Sequence, residues 1–203
     1  EPHVGNDIFR SMVSKTPHLR VLFHSRITKV LKQKNQVKGV EVEAVGETKD
    51  KQILAKITID ATEYGDVIAM SGAEFRLGRE SKKMTGEPDA PDEPDNIIQD
   101  ITYVAILKDY SPDMSMVLPK PKGFNPAIFD GATREQCTDS SWHNHAMHDW
   151  NSFITYGKLP NEKYMINWPF HANDFPTFLP PLTYKQREKE LEKAKQHTLQ
   201  FIY

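Results

Sequence analysis

The first residues of the chain place apolar side chains at the spacing of an α-helix, which predicts an amphipathic helix that ends before Pro17. The apolar positions are Val4, Ile8, Phe9, Met12 and Val13. Four β-like runs follow, at residues 20–24, 27–32, 37–45 and 53–59. Polar turns separate the last three, and apolar and charged residues alternate along the third, as is typical of an antiparallel strand with one face in solvent. The pattern therefore predicts a helix followed by a β-meander.

A strand, a tight polar turn and a short helix are predicted between residues 57 and 70. The run 57–61 ends in Thr62-Glu63-Tyr64-Gly65-Asp66, and the apolar run 67–70 follows. A glycine permits a sharp turn, and an aspartate after it can accept hydrogen bonds from sugar hydroxyls. The N-terminus of the next helix suits an anionic group such as a pyrophosphate. The alternative is purely structural, with Asp66 as the N-cap of the helix, and on spacing alone this is the more common case.

The pattern becomes less regular after residue 75. Residues 78–96 are rich in Gly, Pro and Asp and are predicted to form a long loop. Residues 97–107 are β-like again, and residues 109–139 are predicted to be irregular. We therefore expect a second region with little long regular structure.

The end of the chain combines aromatic residues with a charged helix. Residues 142–203 carry 12 of the 20 aromatic side chains, so a large apolar surface must be buried there. Residues 184–203 predict a helix with a solvated, charged face. Its other face carries Leu191, Ala194, Thr198 and Ile202. The helix reaches the last residue without a C-cap signal, so we expect a longer protein to continue beyond it.

Composition limits the classes of protein to which the chain can belong. It has 203 residues, 38% of them hydrophobic, and a net charge of −2, so it lacks the basic field of a non-specific nucleic-acid-binding protein. No run approaches the roughly 20 apolar residues of a membrane helix, and we expect a soluble chain whose compartment the sequence leaves open. The single cysteine, Cys137, excludes an intrachain disulfide.

Three motifs follow one another between residues 59 and 91. They read Ile59-Asp-Ala-Thr-x-x-Gly-Asp-Val-x-Ala-x-x-Gly-Ala73, Arg76-Leu-Gly-Arg-Glu-Ser81 and Gly86-Glu-Pro-x-Ala-Pro91. Together with the first helix and the meander, they resemble the FAD-dependent oxidoreductases of the glutathione-reductase-like fold. The likeness is strongest to a bacterial subgroup that is also loosely labelled xanthan lyase, and residues 98–107 and 157–169 are similar to the same subgroup.

This resemblance implies an α/β fold with two domains. Residues 1–74 would form part of a three-layer FAD/NAD(P)-binding-type domain with a β-meander. Residues 75–203 would form an irregular α+β substrate domain. The family's first βαβ unit, with its Gly-rich phosphate turn, is not found in the sequence. We therefore expect this chain to be a fragment that is inactive alone, binds FAD weakly or not at all, and self-associates through the apolar faces left uncovered.

The resemblance also implies which residues lie near the cofactor. The turn residues that it places against the flavin nucleotide are Ala61, Thr62, Gly65 and Asp66. The backbone of Ile27, at the start of the meander, would lie near the adenine. Glu63 departs from the family pattern, because many relatives carry Gly at that position.

No catalytic residue follows directly from the sequence, and the weak candidates are Arg79, Glu80 and His171. Arg79 and Glu80 either form a salt bridge with each other on a solvated loop or, as the resemblance suggests, line the reactive face of the flavin. His171 lies in a polar-aromatic stretch, residues 167–174, which either lines a substrate pocket or consists of core aromatics followed by a polar turn. The sequence leaves these alternatives open.

A histidine cluster could supply metal ligands, but its spacing argues against a site. His143, His145 and His148 follow Cys137 closely, and their nitrogen and sulfur donors suit zinc or copper. No second ligand pair has the spacing of a structural zinc site, so we predict no metal.

The favoured function is that of a flavoprotein oxidoreductase that uses FAD on a small organic substrate, without nucleic-acid or membrane partners. The alternative is a carbohydrate- or partner-binding module without redox activity, suggested by the aromatic-rich end of the chain. A polysaccharide lyase is suggested by the family label alone.

Overall fold

A computed structural model describes residues 2–46, 50–110, 112–114, 116–138, 149–168 and 171–203. The chain divides into two compact units, residues 1–97 and 98–203. The mixed α/β class is confirmed, and the sheets are small and antiparallel. In the described ranges, no helix is both long enough and apolar enough to cross a membrane. Residues 75–97 belong to the first compact unit, and their assignment to a substrate domain stays a prediction.

The first unit contains a three-stranded meander, in the order β1-β2-β3, and three helices. Val30 on β1 and Val42 on β2 are buried, and Val67 on α2 is buried as well. Helix α2 contacts β1, so the meander supports the segment that carries the predicted cofactor turn. In chain order, the elements are α1 (Pro2–Lys15), β1 (Ser25–Gln33), β2 (Gln36–Ala44), β3 (Lys51–Leu54), α2 (Asp66–Ser71) and α3 (Lys82–Thr85).

The predicted helix, meander and short helix of the first unit are confirmed, whereas one predicted strand is wrong and another is shorter than predicted. Residues 20–24 form no strand, and the run predicted over 53–59 is a strand only as far as Leu54. Ile57 and Ile59 are 80% and 83% exposed. A β-like sequence becomes a strand only when a neighbour accepts and donates its backbone hydrogen bonds. Among the described residues, the backbone pairing of the meander extends only to His24, whose carbonyl accepts from the amide of Val45, and to Ala55, whose amide donates to the carbonyl of Lys38. Helix α1 forms as predicted, although none of its residues is buried.

The second unit contains two small antiparallel sheets, β4-β8 and β5-β7-β6, and a long C-terminal helix. The predicted irregular region is confirmed for its described residues, which form short 3₁₀ turns at Pro112–Met114, Pro126–Phe129 and Arg134–Gln136. The regular elements are β4 (Ile101–Thr102), β5 (Ala105–Lys108), α4 (Trp150–Tyr156), β6 (Lys158–Leu159), β7 (Lys163–Ile166), β8 (Asp174–Phe175) and α5 (Tyr184–Ile202).

Aromatic and aliphatic side chains form the core of the second unit, as the sequence predicts. Phe153 and Trp168 are buried and meet edge to face, with ring centroids 5.2 Å apart. Helix α5 begins with a capping box between Thr183 and Gln186. Its predicted inner face is confirmed by the burial of Ala194 and Thr198.

The β-like run over residues 97–107 is split between the two sheets, which the sequence does not predict. The Thr198 hydroxyl on α5 donates to the carbonyl oxygen of Tyr103 at 2.7 Å. β4 pairs with β8 and β5 pairs with β7, so the run changes its partner strand between Thr102 and Ala105.

Candidate functional site

Four of the five predicted cofactor residues lie on one compact turn, residues 60–68, which runs into helix α2. Ala61 and Glu63 are exposed, Thr62 and Gly65 are half-buried, and Asp66 is buried. The 60–68 turn therefore has an inner side that packs on the protein and an outer side on which Ala61 and Glu63 are exposed.

Asp60 holds the inner side of the 60–68 turn together. Its Oδ1 accepts hydrogen bonds from the backbone nitrogen of Thr62 at 2.9 Å and from the Thr62 hydroxyl at 2.7 Å. Its Oδ2 accepts from the backbone nitrogen of Ile68 at 2.8 Å. One carboxylate thus joins the beginning of the turn to the first turn of α2.

The Thr62 hydroxyl extends this arrangement by one further bond. While it donates to Asp60, it accepts from the backbone nitrogen of Asp66 at 2.7 Å. The first amides of a helix have no partner within the helix. Thr62 and Asp60 supply those partners for Asp66 and Ile68.

Two expectations about this helix end are therefore corrected. Asp66 is not the N-cap: Gly65, which has no side chain to accept a cap hydrogen bond, stands at that position. The amides of Asp66 and Ile68 are also not available to a pyrophosphate, because the Thr62 hydroxyl and the Asp60 carboxylate already accept hydrogen bonds from them. The carboxylate of Asp60 takes the place of an external anion.

The surroundings of Asp60 favour its ionised form. Burial by itself would raise the pKa of this carboxyl group. The hydrogen bonds from the amides of Thr62 and Ile68, from the Thr62 hydroxyl and from the amide of Val67 outweigh burial and lower the pKa. Asp60 is therefore a carboxylate at neutral pH.

Gly65 leaves the outer side of the turn open. Its φ of 67° lies in the left-handed region, where glycine is favoured. A Cβ added there would meet no heavy atom within 4 Å. A flat ligand can therefore approach the backbone at Gly65 without displacing any protein atom.

The far end of α2 is fixed by β1. Gly72 ends the helix in the left-handed conformation, with its amide donating to the carbonyl of Ala69 at 3.1 Å. The ammonium group of Lys32 on β1 donates to the carbonyl oxygen of Ser71. Ile27 lies near the opposite end of the same strand, where it pairs with Val42. The structure thus brings together the four predicted turn residues, while Ile27 lies on β1.

Arg79 is paired with Asp95, not with Glu80, so the predicted salt bridge between neighbours is wrong. The Arg79 guanidinium donates Nε to Asp95 Oδ2 at 3.0 Å, its second nitrogen donates to the same oxygen, and the two backbones form a β-bridge. Glu80 instead approaches Arg76, at 3.7 Å. Hydrogen bonding between the partners raises the pKa of Arg79 and lowers that of Asp95. This exposed ion pair joins the two ends of the 79–95 loop. A role of Arg79 and Glu80 beside the flavin stays a prediction.

The stretch that contains His171 is partly a core element. Asn173 is fully buried, accepts from the backbone nitrogen of Trp168 at 2.8 Å and donates to the carbonyl of Ile166 at 3.0 Å. These contacts favour the core interpretation for Trp168 and Asn173. His171 is exposed, and its ring lies beside Gly131. Its catalytic role stays a prediction.

The predicted histidine cluster, His143, His145 and His148, lies outside the described residues. Cys137 is half-buried. In the part of the chain that is described, no group of three or more His, Cys, Asp or Glu side chains is arranged to hold a metal ion.

The second unit contains a cavity of about 580 Å³ between α5 and the 3₁₀ turns. Sequence reasoning missed this cavity, because its residues come from segments far apart in the chain. Its lining combines aromatic rings with amide, hydroxyl and carboxylate groups: Phe124, Pro126, Ala127, Phe129, Asp130, Gln136, Thr138, Gln200, Phe201 and Tyr203.

Sequence reasoning also missed Asp60, although a signal for it was present. Asp60 belongs to the first quoted motif, two residues before Thr62. A carboxylate or hydroxyl just before a helix commonly accepts from its first amides. The separation of eight residues between Asp60 and Ile68 hides the pairing from local spacing rules.

The comparisons with known proteins bear on all of this geometry. A family model described as FAD dependent oxidoreductase matches residues 1–203. Comparisons with curated proteins and with solved structures found no match. The family match spans both compact units.

Proposed function

This chain belongs to the family of FAD dependent oxidoreductases, and on that premise we propose that its 60–68 turn binds the flavin nucleotide of an enzyme that oxidises or reduces a small organic substrate. A flavoprotein redox role follows from the family in general terms. The position of the cofactor and the class of substrate are the proposal.

The open outer side of the 60–68 turn is the observation that carries the proposal. Ala61 is exposed, and the missing Cβ of Gly65 leaves at least 4 Å of free space. A backbone without bulky side chains lets a cofactor approach closely and lets carbonyl and amide groups meet its hydroxyls.

The turn fits the ribityl chain and ring system of FAD better than it fits the pyrophosphate. The amides of Asp66 and Ile68 are already bonded within the protein, and the Asp60 carboxylate adds a negative charge beside them. The negative charge of Asp60 would repel a pyrophosphate, and those amides would not be available to donate hydrogen bonds to it. The turn therefore suits the uncharged ribityl chain and ring system.

When bound, FAD supplies the electron transfer through its isoalloxazine ring. In the proposal, the 60–68 turn orients the cofactor, and the Lys32 contact with the end of α2 keeps the turn in place. Residues 1–74 would belong to a three-layer FAD-binding domain, and residues 75–203 would hold the substrate. The cavity of about 580 Å³ in the second unit is within the usual size range for a small organic ligand. The family does not favour the carbohydrate-binding alternative.

Titration of FAD into the purified chain, followed by flavin fluorescence, tests the proposal. We expect weak but saturable binding, and we expect FMN to compete with FAD more strongly than ADP does, because FMN carries the ribityl and ring portion whereas ADP carries only the adenosine and pyrophosphate portion. An Asp66→Ala variant should bind FAD more weakly. Absence of saturable FAD binding would refute the proposal for this chain, and competition by ADP alone would refute the orientation.

A further inference from the structure

Asp60 contacts both ends of the 60–68 turn. Its carboxylate accepts at Thr62, near the start of the turn, and at Ile68, inside the first turn of α2. Hydrogen bonds to an ionised acceptor are stronger than those between neutral groups. The path of the backbone between these two points, including Gly65, therefore depends on one ionised side chain.

Thr62 is the second part of this arrangement. Its hydroxyl must donate to Asp60 and accept from the amide of Asp66 at the same time. Serine retains both capacities, whereas valine, which has nearly the same shape, has neither. The chain therefore offers a matched pair of substitutions at this position.

Resting on the proposed function, we propose that Asp60 is a positioning residue for the cofactor, which fixes the 60–68 turn so that the backbone of Ala61 and Gly65 faces the flavin nucleotide. The hydrogen bonds of its two oxygens go to the turn's own amides and hydroxyl. Asp60 thus acts through the turn.

Charge and positioning make opposite predictions for the loss of this carboxylate. FAD is an anion, so removing a nearby negative charge would by Coulomb's law strengthen its binding. Removing the group that shapes the turn would weaken binding, because the cofactor would have to order the backbone when it binds. Whether FAD affinity rises or falls in the variant therefore distinguishes the effect of charge from the effect of positioning.

The experiment measures FAD affinity by flavin fluorescence for the wild-type chain and for Asp60→Asn, Thr62→Val and Thr62→Ser. We expect Asp60→Asn and Thr62→Val to weaken binding at least about tenfold, equivalent to about 1.4 kcal/mol. Thr62→Ser should stay within about threefold of the wild type. Far-UV circular dichroism establishes that each variant is folded.

Amide hydrogen exchange in the cofactor-free chain provides a separate readout. We expect the Ile68 amide to exchange faster in Asp60→Asn and the Asp66 amide to exchange faster in Thr62→Val, since each loses its acceptor. Glu63→Gln is the matched control, because it removes the same charge from an exposed residue of the same turn. It should leave the exchange of Ile68 unchanged.

The outcomes distinguish this inference from the function on which it rests. If the wild type binds FAD and Asp60→Asn binds it equally or more tightly, Asp60 is not a positioning residue, while the proposed function stands. Unchanged exchange of Ile68 in a folded Asp60→Asn variant would also overturn the inference. If the wild-type chain does not bind FAD, the proposed function fails and this role of Asp60 fails with it.

Discussion

The substitution Gly65→Ala tests whether the cofactor lies against the open side of the 60–68 turn. The change adds one methyl group at a position where no protein atom lies within 4 Å. Its effect on the protein itself is therefore limited to the backbone conformation. Any larger effect on FAD binding must come from contact between the new methyl group and the cofactor.

The backbone cost can be worked out from the φ angle of 67° at Gly65. An alanine in the left-handed region costs about 1–2 kcal/mol. The lower entropy of the unfolded alanine chain offsets about 0.4–1 kcal/mol of this. We therefore expect a net loss of stability of about 1 kcal/mol, which alone weakens FAD binding by no more than about tenfold.

Gly72→Ala is the matched control at the other end of α2. Gly72 has a φ of 69°, and an added Cβ would meet only the Lys32 ammonium nitrogen, at 3.5 Å, which is an ordinary contact. The same conformational cost therefore applies at Gly72 without any contact to the proposed cofactor site. Hydrogen exchange over residues 57–73 should show a similar local destabilisation in both variants.

FAD titration then separates backbone cost from direct contact. We expect Gly65→Ala to weaken FAD binding by about 100-fold or more, and Gly72→Ala by no more than about tenfold. Equal losses in the two variants would contradict a cofactor position at Gly65. So would wild-type affinity in Gly65→Ala.

Three further predictions concern pH and stability. Hydrogen bonds lower the pKa of Asp60 in the folded protein. The contribution of Asp60 to stability is therefore complete above its unfolded-state pKa of about 4 and is lost as the pH falls through its lower folded-state pKa. The amide chemical shift of Ile68 should titrate below pH 4, and titration above pH 4 would contradict this. Asn173→Ala removes two buried hydrogen bonds and should lower the free energy of unfolding by about 1–3 kcal/mol; tryptophan fluorescence in a denaturant series measures this change, since all three tryptophans lie beyond residue 141. The hydroxyl of Thr133 is buried and has no hydrogen-bond partner among the described residues, so Thr133→Val should raise the free energy of unfolding by about 1 kcal/mol, and a loss of stability in the same assay would indicate a partner.

Local patterns predict those elements whose contacts are close in sequence. The meander was predicted from alternation and from polar turns, and helix α5 from a periodic inner face and a charged outer face. Each strand of the meander pairs with the strand next to it in the chain, and the inner face of α5 consists of residues three or four positions apart. The periodicity of the sequence is therefore sufficient to predict the meander and helix α5.

Strands that need distant partners were not predicted correctly. Residues 20–24 and 55–59 have β-like composition, but in the described part of the chain their backbone pairing with the meander is limited to His24 and Ala55. The run over 97–107 is divided, since β4 pairs with β8 and β5 pairs with β7, and both partners lie more than 50 residues further along the chain. Apolar composition indicates that a segment can pair, while the partner decides whether it does.

The same distinction applies to the candidate site. Local patterns indicate where the turn lies, that Gly65 allows it and that a short helix follows. Only the folded chain shows that Asp60, eight residues before Ile68, accepts from the helix amides in place of Asp66, and that Arg79 pairs with Asp95 sixteen residues away. Turn and helix propensities depend on neighbouring residues, whereas the partner of a charged side chain depends on which groups the folded backbone brings within hydrogen-bonding distance.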